Sequence, residues 1–440
     1  WEPLRHRGNP AEMKIVFLTP GTGGWFCRAF MRDNALPVSL QEAGHEVTVL
    51  PMYLPHVLDE DAPHSSCAAP MFFGGINVYL QQKYSVFRRT PDWVDKLLDH
   101  PALLRRVAAK SHMTSAREQG EMTLAMLRVE ESRLGKELEK LVSWLERESP
   151  DILCLSTALQ AGLIRELKHR LSIPIVCFFQ GEDGFLDSLP DPWRDDCWSE
   201  LAKRVRQADA LVSPSRSYAD LMRARLGPQT PDITVLPNGI NLNGPAPTAA
   251  KSGPPVIGYL ARLCREKGLE VMVDAFIHLR NELRHPDAWL HLAGAATAES
   301  RELIDDLRSR IAEAGLAEHV SWKTNITRAG KAEMLSGLTL FSVPAIHQEA
   351  FGLYVIEAMA SGVPVVQPAA ASFPEIIGGS GAGVLVPPGD PAELARAWHD
   401  LLLRPDELAR MAAQCRAAAE KLFDVRVMRD GFLALARELI

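Results

Sequence analysis

Residues 347–366, HQEAFGLYVIEAMASGVPVV, have the pattern of a short apolar helix that runs into a valine-rich strand. Two carboxylates, Glu349 and Glu357, interrupt this apolar segment. A carboxylate is rarely buried without a partner, because removing its charge from water is costly. The segment therefore predicts that both glutamates meet a polar ligand, or that they cap a helix or form salt bridges.

Outward from this segment, strand patterns alternate with helical patterns in both directions. In the second half the strand-like runs are VIGYLARL, WLHLAGA, HVSWKT, LFSVPAI, VPVVQ and GAGVLVPP. In the first half they are MKIVFLT, HEVTVL, DILCLS, IPIVCFF and ALVSPS. Strands that alternate with helices are typical of doubly wound parallel sheets, so we predict an α/β protein.

The domain organisation follows from length and from the breaks in this pattern. A chain of 440 residues is too long for one ordinary core. We predict two Rossmann-like domains that face a cleft, over residues 13–238 and 254–418, joined by a Pro-, Gly- and Ala-rich linker. We also predict a mostly helical insertion over about 56–150, and a C-terminal helix in 419–440 that packs back on the first domain.

Composition excludes several classes of protein. The chain is 47% hydrophobic and 23% charged, and its net charge of -7 argues against nucleic-acid binding. With no spanning apolar run and no signal peptide, we expect a soluble, cytoplasmic protein whose leader, WEPLRHRGNPAE, lies outside the fold. The seven cysteines have no CxxC spacing and predict reduced thiols that are buried and inert.

The position of the glutamates suggests what they contact. Ligands of doubly wound sheets bind at the carboxyl ends of the strands, where we place Glu349. Phe351, Gly352 and Leu353 are predicted to open the following helix, and a helix N-terminus with a glycine is an anion site. Eight residues of helix rise about 12 Å, so Glu357 would lie on the far side of that positive end. A nucleotide sugar, anionic in the middle and hydroxyl-rich at both ends, has this shape.

A second group of charges supports an anionic ligand. In LARLCREKG, Arg262 and Lys267 lie between the first strand of the second domain and a helix that starts at Gly268. Two cations at a strand end are suited to neutralise a diphosphate without a metal. No Asp-x-Asp pair stands out beside these motifs, nor does any Cys/His cluster with ligand spacing, so no metal site is predicted.

These two stretches, ARLCREKG and HQEAFGLYVIEAMASGVPVV, resemble the donor-site motifs of family 4 retaining glycosyltransferases, which have the GT-B fold. The likeness extends over the second domain and, more loosely, to TPGTGG, AGHEVTVL and VLPNGIN. It implies that Glu349 binds hydroxyls of the transferred sugar and that Glu357 holds the ribose. Arg262, Lys267 and the N–H groups at the helix start would stabilise charge on the leaving diphosphate, without a metal cofactor.

The acceptor side departs from that pattern. Many family members carry a His after the strand that corresponds to IPIVCFF, whereas this chain has Gln180, Glu182 and Asp183. We place Asp183 and Gln180 where an acceptor hydroxyl meets the donor, although Asp183 could also cap the next segment. Ahead of Glu349 the chain has Pro344-Ala345 in place of the common Pro-Ser, with one extra residue.

The glycine loop after the first strand has two interpretations. GTGGWF is not a dinucleotide fingerprint, so a nicotinamide site is not expected. Gly21, Gly23 and Gly24 either contact the acceptor or a phosphate, or simply form a tight turn. The basic and aromatic stretch around Lys83 and Arg88 is expected to be a solvated face, with a peripheral membrane contact as the alternative.

The resemblance implies transfer of a sugar, with retention, from a nucleoside-diphosphate donor to a hydroxyl of a glycan, lipid or small molecule. Two other classes remain open on the same motifs. One is a nucleotide-sugar epimerase or a glycan phosphorylase, although no site for a pyridoxal-phosphate lysine is recognisable in the sequence. The other is a non-catalytic protein that binds the sugar nucleotide and no longer transfers it.

Overall fold

The computed structural model describes residues 12–20, 29–53, 72–73, 116–132, 134–242, 253–296, 300–324 and 326–440, with the backbone alone at 29–34 and 328. The chain divides into two compact units. The first unit contains the described residues up to Pro214 together with Ala219–Pro237 and Met428–Ile440, and the second contains Ser215–Tyr218 and Asn238–Val427.

The first unit is built on a parallel sheet of six strands in the order β2-β1-β3-β4-β5-β6. The inner strands, such as ILCL and IVCF, are buried along their whole length, as expected for parallel strands covered on both faces. The strands are β1 (Lys14–Thr19), β2 (Glu46–Pro51), β3 (Ile152–Leu155), β4 (Ile175–Phe178), β5 (Ala210–Ser213) and β6 (Ile233–Val235).

Helices follow the strands of this sheet. The helical pattern from about Glu118 to Glu148 predicts one long helix, whereas the structure has two, separated by a turn. In that turn Ser132 donates to Val129 O and accepts from Leu134 N, so the side chain replaces helical bonds. The helices are α1 (Ala29–Glu42), α2 (Ala116–Leu127), α3 (Gly135–Glu148), α4 (Ile164–Leu171), α5 (Glu182–Ser188), α6 (Trp193–Val205) and α7 (Arg216–Leu226), the last of which begins in the second unit.

The second unit contains another parallel six-stranded sheet, ordered β12-β11-β10-β7-β8-β9. Strand order reverses between β7 and β10, which makes this the topological switch point where ligands of doubly wound sheets bind. The strands are β7 (Val256–Leu260), β8 (Trp289–Gly294), β9 (Val320–Thr324), β10 (Leu340–Phe341), β11 (Val365–Pro368) and β12 (Gly383–Val386).

Strand β10 is shorter than the seven-residue run LFSVPAI predicted. Only Leu340 and Phe341 pair in the ladder, because Val343 N donates to the side-chain Oε1 of Gln367 and Pro344 has no N–H. The helices of this unit are α8 (Leu269–Asn281), α9 (Arg301–Glu313), α10 (Arg328–Gly337), α11 (Leu353–Ala360), α12 (Phe373–Ile377), α13 (Pro391–Leu402) and α14 (Pro405–Leu422). The final helix, α15 (Val425–Leu439), begins in this unit and continues in the first.

The last three helices, α13 to α15, follow one another with no strand between them. Residues from Met428 onward belong to the first unit. There the ring of Phe432 lies 5.9 Å from Phe17 of β1 and 6.3 Å from Phe178 of β4, centroid to centroid. Within the described residues, no helix is both long enough and apolar enough to cross a membrane.

Candidate active site

Two loops of the second unit meet at the switch point. One follows β7 and contains Lys267 and Gly268, and the other follows β10 and contains Pro344. Gly268 has a φ of +68°, and a Cβ there would lie 1.8 Å from the carbonyl oxygen of Pro344. The carbonyl of Glu266 accepts from the N–H of Ile346 at 3.1 Å. Backbone contact therefore holds the two loops in one arrangement.

This contact brings the two predicted motifs together through their side chains. The Nζ atom of Lys267 forms a salt bridge with Oε2 of Glu349. The hydroxyl of Tyr354 donates to the same oxygen at 2.7 Å. The Lys267 and Glu349 side chains are 19% and 15% exposed, so the pair is largely withdrawn from water but still open to a ligand.

The start of helix α11 differs from the prediction in one detail. Gly352 is not in the helix but caps it, with φ 86° and ψ 55°, and the helix begins at Leu353. Phe351 therefore precedes the helix, and because Glu349 lies in the loop, a continuous helical rise does not describe the spacing of the two glutamates. Ser372 Oγ donates to the Phe351 carbonyl at 2.7 Å, and Ser215 Oγ to the Ala350 carbonyl at 2.7 Å.

Those two hydroxyls fix the peptide groups that lead into α11. The first N–H groups of a helix have no acceptor within it, and the helix dipole makes that end positive. Helix α11 begins at Leu353, four positions after Glu349 in the chain. A carboxylate, an ammonium and a helix N-terminus are thus close together at one edge of the sheet.

Glu357 lies deeper, on α11, and is separately held. Its side chain is 7% exposed, and its Oε1 accepts from Nζ of Lys331 at 2.7 Å. Its Oε2 is buried and finds no hydrogen-bond partner among the residues that the structure describes. A buried carboxylate oxygen without a donor is costly, which points to a hydroxyl-bearing ligand as its missing partner.

Arg262 also lies on the loop after β7. Arg262 is exposed, and its backbone carbonyl accepts a hydrogen bond from the hydroxyl of Tyr259 at 2.8 Å. The pKa of Glu266 is lowered by a hydrogen bond from its own backbone N–H, by another from the Cys264 thiol, and by the charge of Arg262.

The cysteine prediction is corrected at one position. Cys264 is partly exposed, although burial and a hydrogen bond to Glu266 raise the pKa of its thiol. The other described cysteines are buried, and all five are free. Burial, followed by the charge of Glu182, raises the pKa of Cys177 strongly. The remaining two cysteines lie outside the described residues.

In the first unit, Gln180 and Asp183 follow β4, at the carboxyl end of that sheet. Asp183 is buried in the first turn of α5. The neighbouring Glu182 has a structural role: it accepts from Thr157 Oγ1 at 2.7 Å and from the N–H groups of Ala158 and Gln180 at 2.9 and 2.7 Å. The glycines at 21, 23 and 24, and the basic stretch around Lys83 and Arg88, lie outside the described residues.

Two residues of the site were missed by the sequence argument. Tyr354 stands five positions after Glu349 within the quoted motif, so its proximity could have been suspected from spacing. Lys331 is remote from Glu357 in sequence, and no local pattern links the two. Among the described residues, no group of three or more His, Cys, Asp or Glu is placed to hold a metal ion.

Comparison with known families agrees with this geometry. Residues 38–243 match the family model described as Glycosyltransferase Family 4. Residues 244–421 match the model described as Glycosyl transferases group 1. The two matches adjoin and together cover both sheets apart from β1.

Curated relatives match over part of their length. A glycogen synthase of Mycobacterium tuberculosis is 33% identical over 226 residues, 50% of this chain and 50% of that protein. A phosphatidyl-myo-inositol mannosyltransferase of Mycobacterium leprae is 31% identical over 202 residues, 45% of this chain and 51% of that protein. The matched segments thus span about half the length of these relatives.

Solved structures show the same fold over nearly the whole chain. A sucrose-phosphate synthase from Thermosynechococcus elongatus superposes with a TM-score of 0.71 at 18% identity, covering 97% of this chain and 98% of that one. HepE of Anabaena, solved with UDP, gives 0.67 at 16% identity and covers 97% and 100%. The adjoining family matches and the two parallel six-stranded sheets show that the chain belongs to the GT-B glycosyltransferases of the group 1 and family 4 type.

Proposed function

We propose that the protein is a retaining hexosyltransferase that moves a sugar from a nucleoside-diphosphate donor to a hydroxyl acceptor without a metal ion. The observation that carries this proposal is the Lys267–Glu349 pair at the switch point, beside the N-terminus of α11. Sugar hydroxyls need a hydrogen-bond acceptor, and a diphosphate needs positive charge. This edge of the sheet supplies both.

The donor would lie along α11. In this arrangement the transferred sugar meets Glu349, and the diphosphate lies over the helix N-terminus. The ribose reaches Glu357, whose buried Oε2 gains from its hydroxyl the hydrogen bond that the protein does not supply. Lys331 holds the other oxygen of that carboxylate in place.

The chemistry follows from where charge develops. When the bond from the sugar to the diphosphate breaks, negative charge builds on the leaving phosphate oxygens. Lys267, Arg262 and the N–H groups at the start of α11 would stabilise that charge. Preorganised groups of this kind are usually the largest single contribution to catalysis. In a front-face reaction the acceptor hydroxyl attacks from the side of the leaving group, and its proton passes to the departing phosphate oxygen. Such a reaction retains configuration without a protein nucleophile.

The nature of the donor is supported by the structural neighbours. HepE of Anabaena has been solved with UDP and with UDP-glucose. Because those proteins share the fold of this chain, a UDP-sugar is the first donor to test, and GDP- and ADP-sugars follow. On the acceptor side, we propose that Asp183 and Gln180 contact the acceptor hydroxyl. Glu182 instead accepts hydrogen bonds from the protein and stabilises the loop.

The test is an incubation with UDP-, GDP- and ADP-sugars, each with and without a panel of glycan, lipid and small-molecule acceptors. We expect release of the nucleoside diphosphate to depend on an acceptor, and the product to keep the anomeric configuration of the donor by NMR. Glu349→Gln should abolish most of this turnover. Glu302→Gln, the same change at an exposed position of α9, is the matched control and should leave it intact.

Three outcomes would contradict the proposal. Formation of an epimer from the donor without acceptor would indicate an epimerase. Tight binding of a sugar nucleotide without turnover would indicate a sensor. An inverted product would overturn retention while leaving sugar transfer in place.

A further inference from the structure

We propose that Tyr354 is a positioning residue that holds Glu349 toward the transferred sugar, through its hydroxyl, while Lys267 engages the diphosphate. This inference rests on the proposed function and adds to it a residue that no motif assigns. Its basis is one oxygen atom that has two donors: Oε2 of Glu349 accepts both from Lys267 Nζ and from the Tyr354 hydroxyl, the latter at 2.7 Å.

The tyrosine ring is fixed by its surroundings. Tyr354 is 2% exposed, and its ring lies 6.2 Å from that of Phe341 and 6.3 Å from that of Phe373, centroid to centroid. It is the second residue of α11, so the backbone on which it stands is also fixed. A hydroxyl on so constrained a ring has little freedom to lose on binding its partner.

The two hydrogen-bond donors to Glu349, Lys267 and Tyr354, differ in charge and in flexibility. Lys267 has a flexible side chain with three N–H donors, and its ammonium lies 5.8 Å from the Tyr354 ring centroid. When an anionic diphosphate arrives, the ammonium is drawn toward it and shared with it. The tyrosine hydroxyl is neutral and is not attracted in the same way. It therefore keeps Glu349 oriented at the moment when the lysine is recruited elsewhere.

A role in core packing alone would not need the hydroxyl. A phenylalanine at position 354 would fill the same space between the rings of Phe341 and Phe373. The hydroxyl instead reaches out of that apolar cluster to a carboxylate that is 15% exposed. Aromatic packing therefore sets the position of the ring, and the hydroxyl acts on Glu349.

The test compares Tyr354→Phe with the wild type in steady-state reactions, using whichever sugar nucleotide the wild type turns over. Loss of one hydrogen bond to a charged group predicts a fall in kcat of about tenfold or more, with donor KM changed by less than about threefold. The melting temperature should stay within a few degrees. Ser380→Ala, which removes partly buried hydroxyl contacts before β12, is the control and should leave both constants unchanged.

A second comparison separates action through Glu349 from a general structural effect. In a Glu349→Gln background, Tyr354→Phe should lower the rate by less than about twofold, because the group that it orients is already impaired. If the rate of the Glu349→Gln variant is too low to measure, Glu349→Asp is used in its place, because its shorter side chain draws the carboxylate away from the Tyr354 hydroxyl.

The inference would be overturned by wild-type kcat in Tyr354→Phe or by the same loss in both backgrounds. A large fall in melting temperature that accounts for the lost rate would also overturn it, since it would assign Tyr354 to packing. Absence of sugar transfer by the wild type itself would instead refute the proposed function, so the two failures are distinguishable.

Discussion

Glu357→Gln tests most directly whether the second glutamate holds a ligand. In the protein its Oε1 accepts from Lys331 and its Oε2 is buried without a donor. Glutamine has the same shape but only one oxygen, and its other terminal atom is an NH2 group. If Lys331 keeps the oxygen, the NH2 group faces the place proposed for the ribose, where it can donate but not accept.

The magnitude follows from these two contacts. A hydrogen bond to a charged group is worth about 1.5–3 kcal/mol, and Lys331 retains a neutral acceptor, so a loss of about 1 kcal/mol in the free energy of unfolding is expected. That corresponds to a fall of about 2–4 °C in melting temperature for a domain of this size. At the ribose the acceptor itself is lost, and about 1.4 kcal/mol raises the donor KM about tenfold.

The assay measures kcat, donor KM and melting temperature for Glu357→Gln and Glu349→Gln side by side. The ribose does not change during the reaction, so Glu357→Gln should raise KM and leave kcat within about twofold. Glu349 is proposed to meet the sugar beside the reacting carbon, so Glu349→Gln should lower kcat instead. Glu333→Gln, an exposed change on the helix that carries Lys331, is the matched control.

A lower melting temperature with unchanged kinetics in both variants would refute the reasoning, since the two glutamates would then be parts of the scaffold only. A selective loss of kcat in Glu357→Gln would exchange the roles of the two residues.

Three further predictions concern the loops at the switch point. Arg262→Ala and Lys267→Ala should each lower kcat about a hundredfold while the circular dichroism spectrum stays native, because each removes charge that stabilises the leaving diphosphate; wild-type turnover would exclude that cation from the mechanism. EDTA should leave turnover largely intact, and full loss reversed by Mg²⁺ or Mn²⁺ would establish a metal requirement. Gly268→Ala should lower both melting temperature and activity, because its Cβ would lie 1.8 Å from Pro344 O at a φ of +68°; a variant as stable as the wild type would show that the loop adjusts.

Much of the fold was readable from the sequence because parallel strands buried on both faces leave a strong signal. The apolar runs IVFLT, ILCL and VVQP each became a strand, and the helical patterns between them became helices. The boundaries were less predictable. LFSVPAI has the composition of a strand, but Gln367 takes the N–H of Val343, and a side chain from the next strand cannot be foreseen locally.

The candidate site divides in the same way. Glu349, Glu357, Arg262 and Lys267 were found from the spacing of charges within apolar segments, because a charge in such a place needs a partner. The spacing of charges did not identify the residue with which each charge pairs. Lys331 meets Glu357 only because α10 and α11 are brought together in the folded unit, and the two residues stand 26 positions apart.

The sequence by itself determined the α/β class, the two repeats of alternating strands and helices, and which charged residues stand at strand ends. These follow from periodicity and burial, which act locally along the chain. Only the tertiary structure decided that Lys267 and Glu349, 82 positions apart, share a salt bridge to which the Tyr354 hydroxyl adds. The reason is the pairing of β7 with β10, which sets Gly258 beside Phe341 and so brings the two loops to one edge of the sheet. Strand order is a property of the whole folded unit, and no local stretch of sequence contains it.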